Sequence, residues 1–387
     1  MAEAFIVSAV RTAGGRRNGR LAGWHPVDLG GKIIDAAVAR AGVPGELVDD
    51  VIFGCVSQSG EQANQVGRTC VLASSLPYSV PAVTIDRQCG SSQQAIHFAA
   101  QAIMSGTMDI VLAGGTESMT RVPMGSPTLS PPGANRWPQS VIDRLGIEAS
   151  SQFRSAEMIA KKWGLTRDML DAFGLESHLR AQKATKEGAF DAEILPLEIV
   201  NADGQKEMHV VDEGIRWDAS PEGMAKVKLL SEEGVVTAAT SSQVTDGASA
   251  VIVASERAVK EHGLTPLARI VNLTVTAGDP VIMLEEPLFC TDKALKRAGM
   301  KLSDIDLYEV NEAFAPIPMA WQRHLDADPA KLNAFGGAIA LGHPLGASGT
   351  KLMATLIHGL KRTGGKYGLQ TMCEGGGTAN VTIIEVL

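Results

Sequence analysis

The second half of the chain repeats the first, and this repeat limits the possible folds more than any other feature. Arg40-Ala41-Gly42 recurs as Arg297-Ala298-Gly299, an offset of 257 residues. Asp50-Val51-Ile52 recurs as Asp306-Leu307-Tyr308, an offset of 256. Within each half, apolar strand patterns alternate with helical patterns, which indicates a mostly parallel sheet with helices. The sequence therefore predicts two copies of one α/β unit packed against each other.

One segment departs from this alternation. It contains a stretch rich in Pro, Ser and Gly at 121–138 and a helical pattern from Phe153 to Lys186, and the α/β pattern resumes at Thr245. We interpret the segment as an insertion that lies over the functional site. The expected parts are a first half made of 1–118 and 242–267, an inserted loop domain at 119–241, and a second half at 268–387.

Charge, hydropathy and cysteine usage exclude several classes of protein. The net charge is −8 and the 35 Lys and Arg residues form no basic cluster, which argues against nucleic acid as the main partner. No apolar run is long enough for a membrane span, and the N-terminal residues resemble no signal peptide. The five cysteines lie far apart and form no CxxC pair, so neither a disulfide framework nor a zinc site is indicated. We expect a cytoplasmic protein.

Cys89 lies at a sharp turn between an extended segment, Pro81–Ile85, and a helical pattern that begins near Ala95. A thiol at a helix N-terminus is near unpaired backbone N–H groups and the positive end of the helix dipole. Both favour the thiolate, which is the nucleophilic form. Gly90 would allow a substrate to approach closely. A buried structural cysteine is the alternative.

Three later stretches are expected to meet Cys89 if the two halves pack back to back. They are Asn311-Glu312-Ala313-Phe314-Ala315, Gly342-His343-Pro344 and Cys373-Glu374-Gly375-Gly376-Gly377. Taken singly, Asn311 could cap a helix, His343 could be a turn histidine, and Cys373 could be a buried thiol. Taken together, these separate structural explanations are hard to sustain.

These stretches resemble the thiolase family, and the resemblance spans essentially the whole chain. The matching motifs are Gln88-Cys89-Gly90-Ser91, Asn311 to Ala315, Gly336-Gly337-Ala338-Ile339-Ala340-Leu341-Gly342-His343-Pro344, and Cys373 to Gly377. The resemblance implies an α/β protein with the thiolase fold. In that fold two similar βαβαβαββ halves, each with a five-stranded mixed sheet, form a layered α-β-α-β-α arrangement with an inserted loop domain.

The resemblance also implies the catalytic roles. Cys89 would attack the 3-keto carbon of an acyl-CoA and carry the shortened acyl group, with His343 taking its proton. Cys373 would protonate the departing enolate. Asn311 would hold a water that stabilises the enolate together with His343, and the backbone N–H groups of Cys89 and Gly375 would stabilise the tetrahedral intermediate.

The coenzyme A site would come largely from the insertion. By resemblance, Ser242 lies beside the pantetheine arm and Arg216 near the adenine nucleotide, while Ala313 and Phe314 line the pantetheine tunnel. Lys226 and Lys228 are weaker phosphate-binding candidates, because a solvated surface explains them equally well. The resemblance implies a homodimer or homotetramer, with 121–138 as a possible contact. It implies coenzyme A as a substrate, with no metal or tightly held cofactor.

Two departures from the family pattern bear on activity. Phe335 stands where the family has a second Asn, which leaves open how the loop carrying His343 is braced. Ser151-Gln152-Phe153 replaces the His-Met-Gly of short-chain members, so a different acyl pocket is expected. We therefore expect a degradative 3-ketoacyl-CoA thiolase, including one for bulky acyl groups such as steroid fragments.

The alternatives come from several classes of protein. An acetyl-CoA acetyltransferase that makes or cleaves acetoacetyl-CoA uses the same reversible chemistry. A ketoacyl-carrier-protein synthase would lack the second cysteine, so Cys373 argues against it. A non-catalytic acyl-CoA or lipid carrier on the same scaffold would be expected to lose one of the four catalytic side chains. A cysteine redox protein is also conceivable.

Overall fold

A computed structural model describes residues 2–129, 137–146, 151–201 and 203–387. These residues form thirteen strands and twelve α-helices. The strands are β1 (Ala4–Thr12), β2 (Gly15–Arg16), β3 (Asp50–Gly54), β4 (Ala82–Ile85), β5 (Ile110–Ser118), β6 (Ile194–Leu195), β7 (Leu197–Val200), β8 (Lys206–His209), β9 (Thr245–Ser255), β10 (Ala268–Ala277), β11 (Leu307–Val310), β12 (Tyr367–Glu374) and β13 (Thr378–Val386). The helices are α1 (Pro26–Ala41), α2 (Val66–Leu72), α3 (Ser91–Ser105), α4 (Gln139–Leu145), α5 (Gln152–Lys162), α6 (Arg167–Lys186), α7 (Pro221–Ala225), α8 (Glu256–His262), α9 (Glu286–Ala298), α10 (Pro316–Leu325), α11 (Ala338–Leu341) and α12 (Ser348–Thr363).

The strands of the two halves join into one sheet. Its order is β11-β12-β13-β10-β1-β9-β5-β3-β4, with β2 paired to β9 and β6 paired to β1. The halves meet where β1 runs antiparallel to β10, with Phe5 opposite Arg269. In each half the last strand, β9 or β13, runs antiparallel to its neighbours, while β3 pairs in parallel with β4 and β5, and β11 pairs in parallel with β12.

Helices pack on the outer face of each half of the sheet. Two further helices, α3 and α12, lie between the inner faces of the two halves. α1 and α2 pack on the outer face of the first half, and α9 packs on β10 and β13 of the second. α3 contacts β3, β5 and β9, and α12 contacts both α3 and the strands β1, β11 and β12. Their apolar side chains share one core with the inner faces of both halves. The predicted α-β-α-β-α layering is confirmed.

The structure corrects the repeat by one residue. Asp49 accepts hydrogen bonds from the backbone N–H groups of Asp109 and Ile110, and Asp306 accepts the same pair from Lys366 and Tyr367. Asp306 is therefore the counterpart of Asp49, and the offset of 256 assigned to Asp50 was wrong. Asp49 precedes β3 and Asp50 begins it, so a comparison of residue types alone matched Asp306 to the second of these two consecutive aspartates. The offset is 257 here too.

The repeated Arg-Ala-Gly triplet marks the same helix end in both halves. α1 and α9 each carry a proline in the first turn and end at a glycine, Gly42 or Gly299. These glycines have φ angles of 67° and 66°, a left-handed conformation that residues with a side chain seldom adopt. The triplet is therefore repeated because both helices end in the same way.

The second half has one strand fewer than predicted. Its described residues form four main-sheet strands, and the counterpart of β4 is a single parallel bridge between Tyr308 and Leu332. The side chain of Asn333 takes over the pairing there, since its Oδ1 accepts from Val310 N and its Nδ2 donates to Val310 O, both at 2.9 Å. An amide side chain thus replaces a peptide group of the missing strand.

The N-terminal ends of α3 and α12 meet at the centre of the molecule. A side chain at Gly349 would lie 2.7 Å from the Cα of Gln93, so the two backbones approach closely. The backbone N–H of Thr350 donates to Ser92 Oγ at 3.0 Å. Ser92 and Gly349 are counterparts in the repeat, so the contact lies near the approximate twofold axis that relates the two halves. It places the turn with Cys89 beside the loop with His343.

The inserted segment combines helices with short strands. Its α5 and α6 fall within the helical pattern predicted for 153–186, and β7 and β8 form a separate two-stranded sheet. β6 extends the main sheet, with Ile194 opposite Arg11. The domain boundaries stay a prediction. No helix in the described part of the chain is both long and apolar enough to cross a membrane.

Candidate active site

Cys89 lies in a tight turn that side chains hold from both sides. Gln88 has a φ angle of 50°, and its backbone N–H donates to Asp86 Oδ1 at 2.7 Å. Ser91 Oγ donates to Gln88 O at 2.6 Å and accepts from Arg87 N at 2.9 Å. A left-handed glutamine costs about 1–3 kcal/mol, and these bonds hold it in place. The predicted strand, turn and helix are confirmed, and Cys89 sits directly before α3.

Burial opposes the thiolate that the helix N-terminus favours at Cys89. It raises the pKa of this thiol to about 12, and an ionised Glu374 would raise the pKa further. The backbone N–H of Cys89 lowers the pKa by less, because desolvation of the charged form outweighs the local dipole. The sulfur therefore needs a base to become nucleophilic.

His343 can serve as that base, since its hydrogen bonds fix a neutral tautomer. Asn311 Nδ2 can only donate and lies 3.3 Å from His343 Nε2, so Nε2 carries the lone pair and Nδ1 carries the hydrogen. Nδ1 then donates to Ser348 Oγ, 2.5 Å away, and Ser348 Oγ donates to Pro344 O at 2.9 Å. Burial lowers the pKa of His343 to about 3, and the charge of Lys351 acts in the same direction.

Glu312 braces the loop that carries His343. Its Oε1 accepts from Asn333 Nδ2 at 2.9 Å, and its Oε2 accepts from Ile339 N at 3.1 Å and from Ser177 Oγ at 2.7 Å. Phe335 packs against Gly359 and joins two apolar clusters. The half-buried phenyl ring therefore packs against the core, and the bracing is done by Glu312 with Asn333.

Cys373 and Gly375 lie on the second-half strand end that faces Cys89. Burial raises the pKa of Cys373 well above its ordinary value, and the charge of Cys89 adds to this, so the two sulfurs are neighbours. A side chain at Gly375 would lie 3.0 Å from Gln88 Oε1. Cys89 also packs with Met372 and Leu345, which flank Cys373 and His343 in sequence. The four predicted loops therefore converge.

A pocket with a volume of about 430 Å³ opens onto this group. Cys89 and Gly375 form part of its wall, together with apolar side chains from both halves and the insertion: Val56, Met124, Phe153, Met283 and Leu345. Phe153 also packs edge-to-face on Phe314, with ring centroids 5.4 Å apart. Phe153, from the altered motif, therefore belongs to the wall of this pocket.

A second pocket, of about 380 Å³, lies in the insertion. Arg216 lines it, and the backbone N–H of Arg216 donates to His178 Nδ1 at 3.2 Å. Ser242 does not line it, but its backbone N–H donates to Ala313 O at 2.9 Å. Phe314 follows and pairs with Ser241. The predicted coenzyme A residues thus lie along one path from the second pocket to Asn311.

Lys226 and Lys228 are exposed and flank Val227, which lines the second pocket. Neither lysine lines the pocket itself, so the solvated-surface alternative remains open. Within the described residues no group of three or more His, Cys, Asp and Glu side chains is arranged to hold a metal ion. Part of the proposed subunit contact at 121–138, residues 130–136, lies outside the described residues.

Sequence reasoning missed several residues that hold the site. Gln243 Nε2 donates to Gly214 O and Ile339 O, both at 2.7 Å, and so ties the insertion to the His343 loop. Glu117 accepts from Val56 N and Gly346 N at 2.9 Å. Glu117 precedes Glu374 by the repeat offset, and that relation could have identified it. For Gln243 and Ser348 the sequence carries no such signal.

A buried ion cluster links the insertion to both halves behind the site. Arg11 of β1 bonds Glu193 at 2.5 Å and Asp212 at 2.8 Å, and Lys351 of α12 lies 4.0 Å from Asp212. Lys351 Nζ also donates to the carbonyl groups of Leu341 and Gly342. Burial alone would raise the pKa of Asp212, but the charges of Arg11 and Lys351 outweigh it and hold this pKa below its usual range.

Replacing Arg11 by methionine is expected to destabilise the protein by about 3–5 kcal/mol, because two carboxylates would stay buried without their partner. Thermal unfolding should then shift downward by about 5 °C or more. Arg16→Ala is the matched control, because its pair with Glu213 is exposed and worth at most about 1 kcal/mol. Equal melting temperatures for the two variants would contradict the structural role of the cluster.

Comparisons with known proteins were made over the whole chain. Residues 4–257 match the family model described as thiolase, N-terminal domain, and residues 264–386 match thiolase, C-terminal domain. The steroid 3-ketoacyl-CoA thiolase FadA6 of Mycobacterium tuberculosis is 51% identical over 100% of this chain and 95% of that protein. The 3-ketoacyl-CoA thiolase of Cronobacter sakazakii is 40% identical over 100% of both chains.

Two solved structures are similar in fold over the whole chain. The crystal structure of human mitochondrial 3-ketoacyl-CoA thiolase matches with a TM-score of 0.90 and 40% identity, covering 100% of this chain and 99% of that one. The Bacillus anthracis acetyl-CoA acetyltransferase matches with the same TM-score and coverage and 36% identity.

Proposed function

Because this chain belongs to the thiolase family, we propose that it is a degradative 3-ketoacyl-CoA thiolase. Such an acyltransferase uses coenzyme A to cleave a 3-ketoacyl-CoA into acetyl-CoA and a shortened acyl-CoA. The observation that carries the proposal is the pair of neighbouring buried cysteines, Cys89 and Cys373, beside a neutral His343 that is bonded to Asn311.

The first step is the attack of Cys89 on the 3-keto carbon. His343 Nε2 takes the thiol proton as the carbon–sulfur bond forms, and the carbonyl electrons move onto oxygen. The neutral tautomer of His343 supports this role, because Nε2 carries a lone pair at physiological pH. The Cys89 proton takes the place of the long hydrogen bond, 3.3 Å, that Asn311 Nδ2 donates to this lone pair in the resting site. The bond between C2 and C3 then breaks, and its electron pair forms the enolate of acetyl-CoA.

Cys373 supplies the proton that the enolate needs at C2. Its raised pKa supports an acid role, because a thiol that stays protonated at neutral pH can donate a proton. Acetyl-CoA leaves, and the shortened acyl group remains on Cys89 as a thioester. A second coenzyme A then loses its thiol proton to the Cys373 thiolate and attacks the thioester. The shortened acyl-CoA is released, and the Cys89 thiolate that leaves takes its proton back from His343.

Two oxygens gain negative charge in this sequence, and each needs donors. The backbone N–H groups of Cys89 and Gly375 are proposed for the tetrahedral intermediate, since both residues line the same pocket. Asn311, through a water, and protonated His343 are proposed for the enolate. A preorganised donor of this kind is typically worth about 3 kcal/mol.

Coenzyme A is proposed to lie along the path from Arg216 through Ser242 to Ala313 and Phe314. The second pocket, which Arg216 lines, suits the nucleotide end of coenzyme A. The single β-bridge between Ser241 and Phe314 suits an extended pantetheine arm beside it. The absence of a tightly held cofactor, the homodimeric or homotetrameric state and the cytoplasmic location stay predictions. Five cysteines that are all free and buried are consistent with a reducing compartment.

The acyl pocket favours a substrate larger than acetoacetyl-CoA. Its volume of about 430 Å³ lies in the range of about 300–1,000 Å³ typical for drug-sized ligands. A neighbouring pocket of about 420 Å³ shares Phe153 and Ser151 with it. The relative that is 51% identical bears the name of a steroid 3-ketoacyl-CoA thiolase. We therefore propose a bulky, ring-bearing acyl group.

A thiolysis panel tests this proposal. Acetoacetyl-CoA, a medium-chain 3-ketoacyl-CoA and a ring-bearing 3-ketoacyl-CoA are each mixed with coenzyme A and the purified protein. We expect kcat/KM to be at least about tenfold higher for the ring-bearing substrate than for acetoacetyl-CoA, equivalent to about 1.4 kcal/mol of added transition-state binding. Turnover of acetoacetyl-CoA alone would instead identify a short-chain acetyltransferase.

That acetyltransferase is the second candidate. The equally close fold of the Bacillus anthracis acetyl-CoA acetyltransferase supports it. Ser151-Gln152-Phe153 argues against it, because Phe153 occupies the wall of the acyl pocket where short-chain members carry smaller contacts.

A further inference from the structure

Glu374 is a buried carboxyl group that the proposed mechanism does not use. It follows Cys373 at the end of β12 and is 0% exposed. Its Oε2 accepts a hydrogen bond from Thr378 Oγ1 at 2.8 Å, and its Oε1 is buried with no partner. An unpaired charged oxygen in such a place is strongly unfavourable, so the protonation state of Glu374 needs an explanation.

A second unpartnered acceptor, Asn380 Oδ1, lies beside Gly90 together with the free oxygen of Glu374. A side chain at Gly90 would collide with both Glu374 Oε1 and Asn380 Oδ1, so both oxygens face the same small volume beside the Cys89 turn. Asn380 Oδ1 also lacks a partner, and its Nδ2 donates to Gln94 Oε1 at 3.1 Å. A proton on Glu374 would give each of these oxygens its missing hydrogen bond.

The repeat provides an independent comparison. Glu117 precedes Glu374 by 257 residues, and Glu117 Oε2 accepts from the backbone N–H of Gly346 at 2.9 Å. The counterpart of Gly346 is Cys89, so an equivalent bond would run from Cys89 N–H to Glu374. Within the described residues, Glu374 accepts only from Thr378. The symmetry is thus broken at one of the two N–H groups proposed to bind the substrate oxygen.

An ionised Glu374 would interfere with the first step in two ways. Its charge would oppose the thiolate of Cys89, and its oxygen would compete for the Cys89 N–H. The titratable groups that face it are Arg87 and Cys89 on the turn, Cys373 on its own strand, and Cys290 on α9. Burial raises the pKa of Glu374 to about 8, although Thr378 and Arg87 act in the opposite direction.

We propose that Glu374 is a positioning residue that is protonated in the active enzyme, where its hydroxyl donates to Asn380 Oδ1. The neutral carboxyl leaves the Cys89 N–H free for the substrate oxygen and does not oppose the Cys89 thiolate. Loss of this proton in alkaline solution slows the first step. The inference deepens the proposed function and depends on it for the substrate oxygen, but not for the effect on the Cys89 sulfur.

The test compares Glu374→Gln, which keeps the shape and removes the titrating proton, with Glu374→Asp, which keeps the carboxyl. The ratio of kcat/KM for Glu374→Gln to that of the wild type should rise about tenfold between about pH 7 and pH 9, because a group with a pKa of about 8 is about one-tenth protonated at the higher pH. The same ratio for Glu374→Asp should rise at most about twofold.

A second readout needs no turnover. The rate at which iodoacetamide alkylates Cys89, followed by peptide mass spectrometry at about pH 9, should be about tenfold higher in Glu374→Gln than in the wild type. The inference is overturned if Glu374→Gln relative to the wild type shows the same ratio of kcat/KM and the same ratio of alkylation rates at about pH 7 and at about pH 9. Constant ratios are expected if the Asn380 amide donates to a carboxylate that is already ionised. Altered alkylation in a protein that cleaves no 3-ketoacyl-CoA would refute the proposed function and leave the role of Glu374 standing.

Discussion

Replacing Cys89 by alanine is expected to lower kcat for thiolysis by more than about 10⁴-fold, because the acyl group then has no sulfur to carry it. The substitution removes one small atom from a site where Cys89 packs with Met119, Leu345 and Met372. Its cost in stability should therefore be modest. Turnover is measured with the substrate that the panel identifies, and acyl-enzyme formation is followed by intact-protein mass spectrometry.

Cys70→Ala is the matched control for this variant. Cys70 is as buried as Cys89 but lies on α2, within the outer core of the first half. We expect Cys70→Ala to keep wild-type kcat and Cys89→Ala to lose the acyl adduct completely. An adduct that persists in Cys89→Ala would contradict the nucleophile assignment. A wild type that binds acyl-CoA without turnover or adduct would revive the non-catalytic carrier.

Replacing Cys373 by alanine is expected to separate the two halves of the reaction. Cleavage of the carbon–carbon bond needs a proton at C2 and should fall by about 10²–10⁴-fold, the usual range for loss of a general acid. Transfer of an acetyl group from acetyl-CoA to Cys89 needs no proton at carbon, and its leaving group, the coenzyme A thiolate, is a much weaker base than an enolate and can leave without an acid. That half-reaction depends on Cys89 and His343 and should persist in the variant.

Both quantities can be measured on one preparation. Thiolysis gives the cleavage rate, and labelled acetyl-CoA gives the extent of acetylation at Cys89. Cys290→Ala is the control, since Cys290 is buried on α9 with its sulfur 3.5 Å from Ala379 O and has no proposed part in the chemistry. Equal loss of cleavage and of acetylation in Cys373→Ala would show that Cys373 is needed for more than proton transfer.

Much of the fold follows from local sequence patterns. The strand and helix alternation, the Arg-Ala-Gly helix ends and the turn at Cys89 depend on residues close together in the chain, so the sequence carries them. The repeat then predicted the pairing of the two halves. It failed where two aspartates made the match ambiguous, and where the Asn333 side chain replaced a strand.

The catalytic residues were identified by motif and by family resemblance, and the structure brings their loops together. The ionisation states were beyond the sequence. The helix N-terminus favours a Cys89 thiolate, but burial raises the pKa of this thiol to about 12. A pKa depends on every group around the atom, and most of those groups are distant in the chain.

The α/β repeat, the insertion and the residues that meet at the site can be read from the sequence. The packing of Phe335 against the core, the bonds by which Glu312 and Ser348 orient the His343 loop, and the position of Glu374 beside Asn380 instead of bonding Cys89 depend on the three-dimensional arrangement. The reason is physical. Periodicity and turn chemistry act over a few residues, whereas hydrogen bonding and desolvation in a buried site depend on contacts between segments hundreds of residues apart.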